Sequence, residues 1–467
     1  MKIRRVLIAN RGEIAARIIR TCRHLGIETI LAASEADMAS LAARLADQTV
    51  CIGPPPSAKS YLNVDAVVAA AVTAKADALH PGYGFLSENR RLAAGLREAG
   101  ICFIGPDEEQ LAAVGDKLKA RQHALDAGLP VVPGGPVENV EDAIKLAKKI
   151  DYPILIKAVG GGGGRGMKQV HDPESMKENI ELAIAEAEAA FGDARIYLER
   201  YVASGRHVEI QILGDSEEYI HLGDRDCSIQ RRYQKLVEEA PAPYLDDKLR
   251  QEMHQAAVDF ARHLNYRSAG TVEFLVDRER NEFYFLEMNA RIQVEHPVTE
   301  MITGLDLIEE QIAIAEERPL RWSQKEITFN GHAIECRINA EDVTRDFHPA
   351  PGTITKAVFP AGHDIRVDTY IETGTAVPPF YDSLLAKIIV HGKDRNSAIE
   401  MMSNALANCE IEGIATNLTM HSSLMKDDGF KKGGVDTNYF SHFLQSVDLN
   451  AHGNTRLLHI GGRSSHG

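Results

Sequence analysis

Residues 160 to 164 are five successive glycines, set between the apolar-rich runs Ile154-Leu155-Ile156-Lys157-Ala158-Val159 and Met167-Lys168-Gln169-Val170. Glycine in an ordered element costs roughly 0.5–1 kcal/mol relative to alanine, so a run of this length calls for something only bare backbone supplies. Two readings are open at this point. The run is either the solvated tip of a hairpin or a loop whose unobstructed N–H groups wrap a phosphate chain. The flanks exclude a Walker A loop, because no Gly-Lys-Ser/Thr follows the glycines and the next segment is strand-like rather than helical. The pattern describes a glycine-tipped hairpin suited to serve as a mobile lid over ATP. Lys157, at the end of the first strand, then reaches the α- or β-phosphate; otherwise it is a solvated lysine.

Around this hairpin the chain divides into regions of different rhythm. From Arg4 to about Pro106, strand-like runs (Val6 to Ala9, Ile27 to Ala32, Ile101 to Ile104) alternate with helical stretches such as Ile14 to Leu25, which Gly26 stops. That alternation predicts βαβ units around a parallel sheet. The first turn, Asn10-Arg11-Gly12-Glu13, lacks Gly-x-Gly-x-x-Gly, which argues against a dinucleotide site. His80 to Asn89 is rich in turn formers and is either a functional loop or a connection. A turn-rich joint at Pro130 to Pro136 suggests a hinge, and the helix after Asp172 takes that residue as its cap with Pro173 in the first turn and a body to about Phe191. From Gly331 short strands alternate with Pro and Gly, followed by a helix near Ser397 to Ala407. At roughly 100–200 residues per domain, the 467-residue chain is expected to be a multidomain α/β and α+β protein. The expected parts are a Rossmann-like N-terminal domain (1–114), a middle domain (115–330) with a lid at about 134–203, a strand-rich C-terminal domain (331–446) and a fraying tail (447–467).

Composition removes several function classes. Lys plus Arg number 52 against 67 Asp plus Glu, a formal charge of −15, which disfavours nucleic acid or an anionic membrane surface as the main partner. No apolar run approaches the ~18 residues of a membrane span, and Val6 to Ala9 is shorter than the about 7–15 residues of a signal-peptide core. The six cysteines lie far apart with no Cys-x-x-Cys pair, so neither a zinc site nor a disulfide framework is expected, and the setting reads as reduced and cytoplasmic.

Leu286 to Glu295 is the second informative segment. In an extended chain, Glu287, Asn289, Arg291, Gln293 and Glu295 share one face. Such a face is either a solvated sheet surface or a ligand surface. A carboxylate and an amide oxygen two residues apart are hard ligands suited to Mg²⁺, and Glu273 on the preceding strand-like run adds a second carboxylate. Arg291 is then a fixed cation for an anionic substrate, and Glu295 a general base if its pKa is suitably tuned. These types describe phosphoryl transfer. The basic run Gln230-Arg231-Arg232-Tyr233-Gln234-Lys235 by itself reads as surface.

Together these residues resemble the biotin carboxylases of the ATP-grasp superfamily. The matching segments are Ile8 to Ala15, His80 to Asn89, Gly115-Asp116-Lys117, Lys157 to Met167, Arg206 to Gln211, Gln230 to Pro243, Glu287 to Gly304 and Glu335 to Asp342, in order along residues 3 to about 445. The resemblance implies ATP-dependent carboxylation of biotin on a biotin carboxyl carrier protein. It implies that Lys117, Lys157, Gly163, Gly164 and His207 hold ATP, that Glu199, Arg200, Tyr201 and Val202 line the adenine pocket, and that Gln230 and Tyr233 contact the nucleotide. Glu273, Glu287 and Asn289 would carry Mg²⁺ or Mn²⁺. Lys235, Arg291, Gln293 and the Val294 backbone would bind bicarbonate, Glu295 would deprotonate it, and Arg337 would stabilise the enolate oxygen of biotin. A homodimer is implied as well, with the carrier and the carboxyltransferase on separate subunits.

Two positions depart from the family pattern. Tyr233 stands where many relatives have histidine, and a phenol donates a hydrogen bond without positive charge. Arg200 stands where lysine is common near the adenine. The final acceptor is open: acetyl-CoA is the first expectation, with propionyl-CoA, methylcrotonyl-CoA, pyruvate or another oxo acid as alternatives. A third reading is a nucleotide-binding subunit that is catalytically silent.

Overall fold

The computed structural model describes residues 2–137, 139–150, 152–159 and 167–447. Gly163 and Gly164 lie outside the described residues, as does the expected tail from 448 onward. The N-terminal apolar runs form a parallel sheet of β1 (Arg5–Ile8), β2 (Glu28–Ala33), β3 (Gln48–Cys51), β4 (Ala78–His80) and β5 (Cys102–Phe103), ordered β3-β2-β1-β4-β5. The helix Gly12–His24 follows β1, and Ile14, Ile18 and Ile19 bury its apolar face. Gly12 opens it at φ +66°. The Asn10 side chain ties this turn to the His80–Asn89 loop, donating from Nδ2 to the carbonyls of Pro81 and Tyr83, both at 2.7 Å.

Within the segment expected as a lid lies an antiparallel sheet of β6 (Gly134–Val137), β7 (Ile154–Ala158), β8 (Met167–Val170) and β9 (Ile196–Arg200), ordered β6-β9-β7-β8. β7 and β8 pair from Ile154↔Val170 to Lys157↔Met167, on either side of the glycine run. The helix on this sheet is Met176–Phe191, not one capped by Asp172. Asp172 Oδ1 instead accepts from Ser175 N at 2.8 Å in a turn before the helix begins. A side-chain oxygen that accepts from the N–H three residues on makes the bond a cap makes, which is why this turn and a cap look alike in sequence.

The remaining strands are β10 (Gly205–Asp215), β11 (Tyr219–Arg231), β12 (Gln234–Ala240), β13 (Arg267–Asp277), β14 (Glu282–Asn289) and β15 (His332–Asn339). They join Leu384–Gly392 and Ile365–Thr369 in one eight-stranded sheet, in the order β14-β13-β10-β11-β12-β15 followed by those two, antiparallel throughout. Position 331 therefore separates strands that are hydrogen-bonded neighbours: Val237 pairs with Cys336 and Glu238 with Glu335. One apolar core spans that point as well, because Ile229, Leu236 and Val237 pack with Ile334, Ile388, Met402 and Phe440. Among the described residues no helix is long and apolar enough to cross a membrane, and all six cysteines are free thiols.

Gly134 sits where β6 meets β9, and a Cβ there would lie 2.1 Å from the Leu198 carbonyl oxygen. Gly134→Ala must therefore separate the two strands. Overpacking of this kind costs about 1–3 kcal/mol. Hydrogen exchange should quicken in β6 and β9 and stay unchanged in β10–β13.

Candidate active site

β11 and β12 are joined by a two-residue turn, with Arg231 paired to Gln234 and both Arg232 and Tyr233 at positive φ (49° and 65°). This is a type I′ geometry built without glycine. The turn makes the basic run a hairpin whose tip, Arg232 to Gln234, is exposed as expected of surface. Tyr233 stands at the tip, 60% exposed, while Lys235, two residues on, points inward.

Lys235 is the centre of the site. Its Nζ donates to Glu209 Oε2 (2.5 Å), Glu295 Oε1 (2.8 Å) and Glu273 Oε1 (2.9 Å). Burial opposes its charge, but the three carboxylates outweigh burial and hold the ammonium pKa well above its ordinary value. The carboxylates have further cations. Glu209 Oε1 accepts from Arg225 Nε at 2.6 Å, and the fully buried Arg225 also donates to Gln211, Thr271 and Thr299. His207 Nε2 lies 2.8 Å from Glu273 Oε2, and that carboxylate overcomes burial to raise the imidazole pKa. Glu295 Oε2 accepts from Arg337 Nη2 at 2.8 Å.

Glu295 is fully buried beneath Lys235 and Arg337. Burial alone would favour its neutral form, yet Lys235, Arg337 and Arg225 hold its pKa well below the usual carboxylate range. It is an ionised carboxylate with its basicity suppressed, whereas an ideal base has a pKa near the working pH.

The expected single polar face from Glu287 to Glu295 is not what folds. β14 ends at Asn289, and residues 290–295 form a loop into the helix His296–Thr303, which has proline in its first turn. Extended pairing is lost because Ala290 N donates not to a strand but to Glu88 Oε1 at 2.9 Å. Glu88 Oε2 also accepts from Arg291 Nε at 3.1 Å, so the His80–Asn89 loop positions this arginine. Arg291 donates in addition to Gln293 Oε1 (2.9 Å) and Asn289 Oδ1 (2.6 Å). The Val294 carbonyl accepts from the buried Lys387 Nζ at 2.8 Å.

The oxygen-rich group lies beside this network. Glu273 and Glu287 are register partners on β13 and β14. Burial and the neighbouring Glu273 raise the Glu287 pKa, whereas Lys235 and His207 lower that of Glu273 against its own burial. Two carboxyls and the Asn289 amide on adjacent strands form a hard-oxygen set that fits Mg²⁺ or Mn²⁺.

A cleft of about 1190 Å³ connects these groups to the sheet of β7, β8 and β9. Lys117, the first residue of the helix Lys117–Asp126, and Lys157 near the end of β7 line it, with Glu199, Arg200, Tyr201 and Val202 at the end of β9, and Gln230 and Tyr233 opposite. Lys157 is paired with Glu199, and Arg200 donates to the Tyr284 hydroxyl. His207, Lys235, Glu273, Glu287, Asn289, Arg291, Gln293, Val294 and Arg337 also face the cleft, while Glu295 lies behind them.

Three-part matching accompanies this geometry. Residues 2–111 match the biotin carboxylase N-terminal domain, 116–323 the ATP-binding domain of the carbamoyl-phosphate synthase L chain, and 335–442 the biotin carboxylase C-terminal domain. A biotin carboxylase of Nostoc is 52% identical over 94% of this chain and 99% of its own length. The chain belongs to the biotin carboxylase family. Among solved structures, the biotin carboxylase of Campylobacter jejuni in its βγ-ATP complex superposes with a TM-score of 0.91 at 47% identity, covering 94% of this chain and 99% of that one. The biotin carboxylase domain dimer of Hydrogenobacter thermophilus 2-oxoglutarate carboxylase, solved with MgADP, ADP and bicarbonate, gives 0.90 at 44% identity, with coverages of 96% and 99%. This biotin carboxylase chain also resembles a pyruvate carboxylase subunit of Methanothermobacter thermautotrophicus, at 46% identity over 95% of the chain and 91% of that protein.

Sequence reasoning missed several residues that the structure brings to the site: Glu88, Glu209, Arg225, Glu238 and Lys387. Glu88, Glu209 and Glu238 fall inside the segments that resemble the family, and that was their one signal in the sequence. Glu238 accepts from Arg337 Nε at 2.6 Å, and its partner across the strands, Glu335, is fully buried with neither carboxyl oxygen hydrogen-bonded among the described residues. Burial pushes the Glu238 pKa up to about 7 against the pull of Arg337.

Between its ordinary value of 4.5 and about 7, folded Glu238 keeps a proton that the unfolded chain has released. This group's contribution to stability therefore falls as pH rises through that window, by up to ~1.4 kcal/mol per unit. Glu238→Gln should flatten the decline, measured by urea unfolding at pH 5, 6, 7 and 8; an unchanged slope would show that Glu238 titrates normally.

Proposed function

We propose that this chain uses ATP and bicarbonate to carboxylate biotin on a biotin carboxyl carrier protein, as the first half-reaction of acetyl-CoA carboxylase. One observation carries the reading: Lys235 and Arg337, which line the cleft with Arg291, both pair with the ionised Glu295 behind them, and Lys117, Lys157 and the end of β9 line the same cleft.

The nucleotide lies in that cleft, with its phosphates toward Lys117, Lys157 and His207; Gly163 and Gly164 are further nucleotide-binding residues in this reading. Mg²⁺ or Mn²⁺, held by Glu273, Glu287 and Asn289, supplies charge neutralisation of the phosphates. Bicarbonate takes Lys235 and Arg291 as counter-ions beside Gln293 and the Val294 backbone. An anion there competes with Glu295 for its cations, which lifts the suppressed pKa of that carboxylate and lets it accept the bicarbonate proton. The bicarbonate oxygen then attacks the γ-phosphorus and displaces ADP, giving carboxyphosphate. Its breakdown yields CO₂ and phosphate; the phosphate removes the N1′ proton of biotin, and N1′ attacks CO₂. Arg337, held by Glu238 and Glu295, faces the developing negative charge on the ureido oxygen.

Carboxybiotin is the product whichever acceptor follows, and relatives named for pyruvate and 2-oxoglutarate carboxylases share this architecture. Propionyl-CoA, methylcrotonyl-CoA and oxo acids are therefore the alternative acceptors. The carrier and the carboxyltransferase act as separate subunits, the chain works as a homodimer, and the six free thiols suit a cytoplasmic setting.

Purified protein should hydrolyse ATP with free biotin only when both bicarbonate and Mg²⁺ are present. Glu295→Gln and Arg291→Ala should each lower this coupled rate by roughly 10²–10⁴-fold; full rates in both would remove the roles assigned to these two residues. Tyr233→His should shift the Michaelis constant for ATP and leave kcat within a few-fold, and an unmoved constant would mean that Tyr233 makes no nucleotide contact.

A further inference from the structure

Away from the cleft, the helices Lys117–Asp126 and Asp247–His263 bring their C-terminal turns together. His123 Nδ1 lies 3.2 Å from His263 Nε2. The Asp126 carboxylate, three residues after His123 and on the same helix face, joins them so that one donor atom from each residue falls within 4.8 Å of the other two. We infer that His123, Asp126 and His263 form a site for a borderline transition-metal cation, of which Zn²⁺ is the representative.

Four observations converge on this assignment. A metal–nitrogen bond of about 2.0–2.1 Å at tetrahedral angles separates two ligand nitrogens by about 3.3 Å, and the observed 3.2 Å is close to that separation. The third donor is anionic and is itself oriented, since Gln122 Nε2 donates to Asp126 Oδ1 at 2.8 Å; outer hydrogen bonds of this kind hold metal ligands in place. Both histidines lie in the last turn of a helix, so two negative dipole ends point at the position a cation would take. His263 and Asp126 are exposed and His123 half-buried, which leaves the ion an entry path and room for a water as fourth ligand.

The donor chemistry separates this site from the oxygen-only group at Glu273, Glu287 and Asn289. Two imidazoles and one carboxylate suit Zn²⁺, Co²⁺, Ni²⁺ and Cu²⁺, while Mg²⁺ prefers oxygen ligands. Binding requires both imidazoles to be neutral and replaces their shared hydrogen bond. An ion at this position ties the C-terminal turns of the two helices together. The first of them begins at Lys117 in the cleft wall, and the chain after it runs through Gly128 to Pro133 into β6.

The test uses the full chain stripped of metal by a chelator. Zn²⁺ titration followed by calorimetry, and Co²⁺ titration followed by visible absorption, should find a site in the wild type that His263→Ala and His123→Ala each weaken at least tenfold and that Glu287→Gln retains. Co²⁺ at that site should show the intense absorption of four-coordinate geometry. Zn²⁺ should raise the melting midpoint of the wild type and leave that of His263→Ala unmoved, with biotin-dependent ATP hydrolysis of His263→Ala unchanged when no Zn²⁺ is added. Equal affinity and stoichiometry in wild type and both histidine variants, or Zn²⁺ binding that disappears only in Glu287→Gln, would overturn the assignment.

Discussion

A single ammonium group organises the interior of this protein. Lys235 is hydrogen-bonded to Glu209, Glu273 and Glu295, and three acidic groups cannot be buried around one lysine without further positive charge. Arg225, His207 and Arg337 supply it. Burying ions is costly, and removing one partner from such a network leaves an uncompensated charge worth about 3–5 kcal/mol. The network therefore constrains the register of β10, β12, β13 and β15, and the sheet has little freedom to pair in any other way. It also stores the chemistry. The cations that keep Glu295 ionised are the ones an incoming anion would claim, so substrate binding and the strength of the base are linked through shared counter-ions.

The continuity of the eight-stranded sheet explains how residues from distant stretches meet. Arg337 reaches Glu295 because β15 pairs directly with β12, which carries Lys235 and Glu238. The N-terminal sheet contributes no strand to this assembly. Its part is made by loops: Asn10 fixes the turn at Pro81 to Tyr83, and Glu88 of the same loop clamps Arg291. A formal charge of −15 and a site for anions are compatible because the field in the cleft is set by its local cations, while the excess acid lies elsewhere on the molecule.

Much of the architecture was legible in the chain. The apolar runs at Val6, Ile27 and Ile101 became β1, β2 and β5, the glycine run is flanked by paired strands, and the helix ending at Phe191 ends there. Legibility failed where two structures share one pattern. Alternation from Glu287 to Glu295 reads as a strand, but the backbone after Asn289 is captured by Glu88, some 200 residues earlier. Asp172 has the residue type of a cap and makes a cap-like bond to Ser175 N, but in the turn before the helix. Glu209 and Glu238 look like any sheet-surface carboxylates until their partners on other strands are known.

Residue by residue, the sequence determined the kinds of groups available: a glycine-tipped hairpin, lysines at strand and helix ends, paired acids, and a rhythm of strands and helices. Those properties depend on neighbours within a few positions, and periodicity and turn chemistry report them directly. Only the tertiary structure decided which acid is ionised, which is held near neutrality, and which arginine faces the cleft. Desolvation and Coulomb interactions sum over every group that folding brings close, and in this protein those groups come from positions as far apart as Glu13, Glu88, Lys235, Arg337 and Lys387. No local stretch of sequence contains that sum.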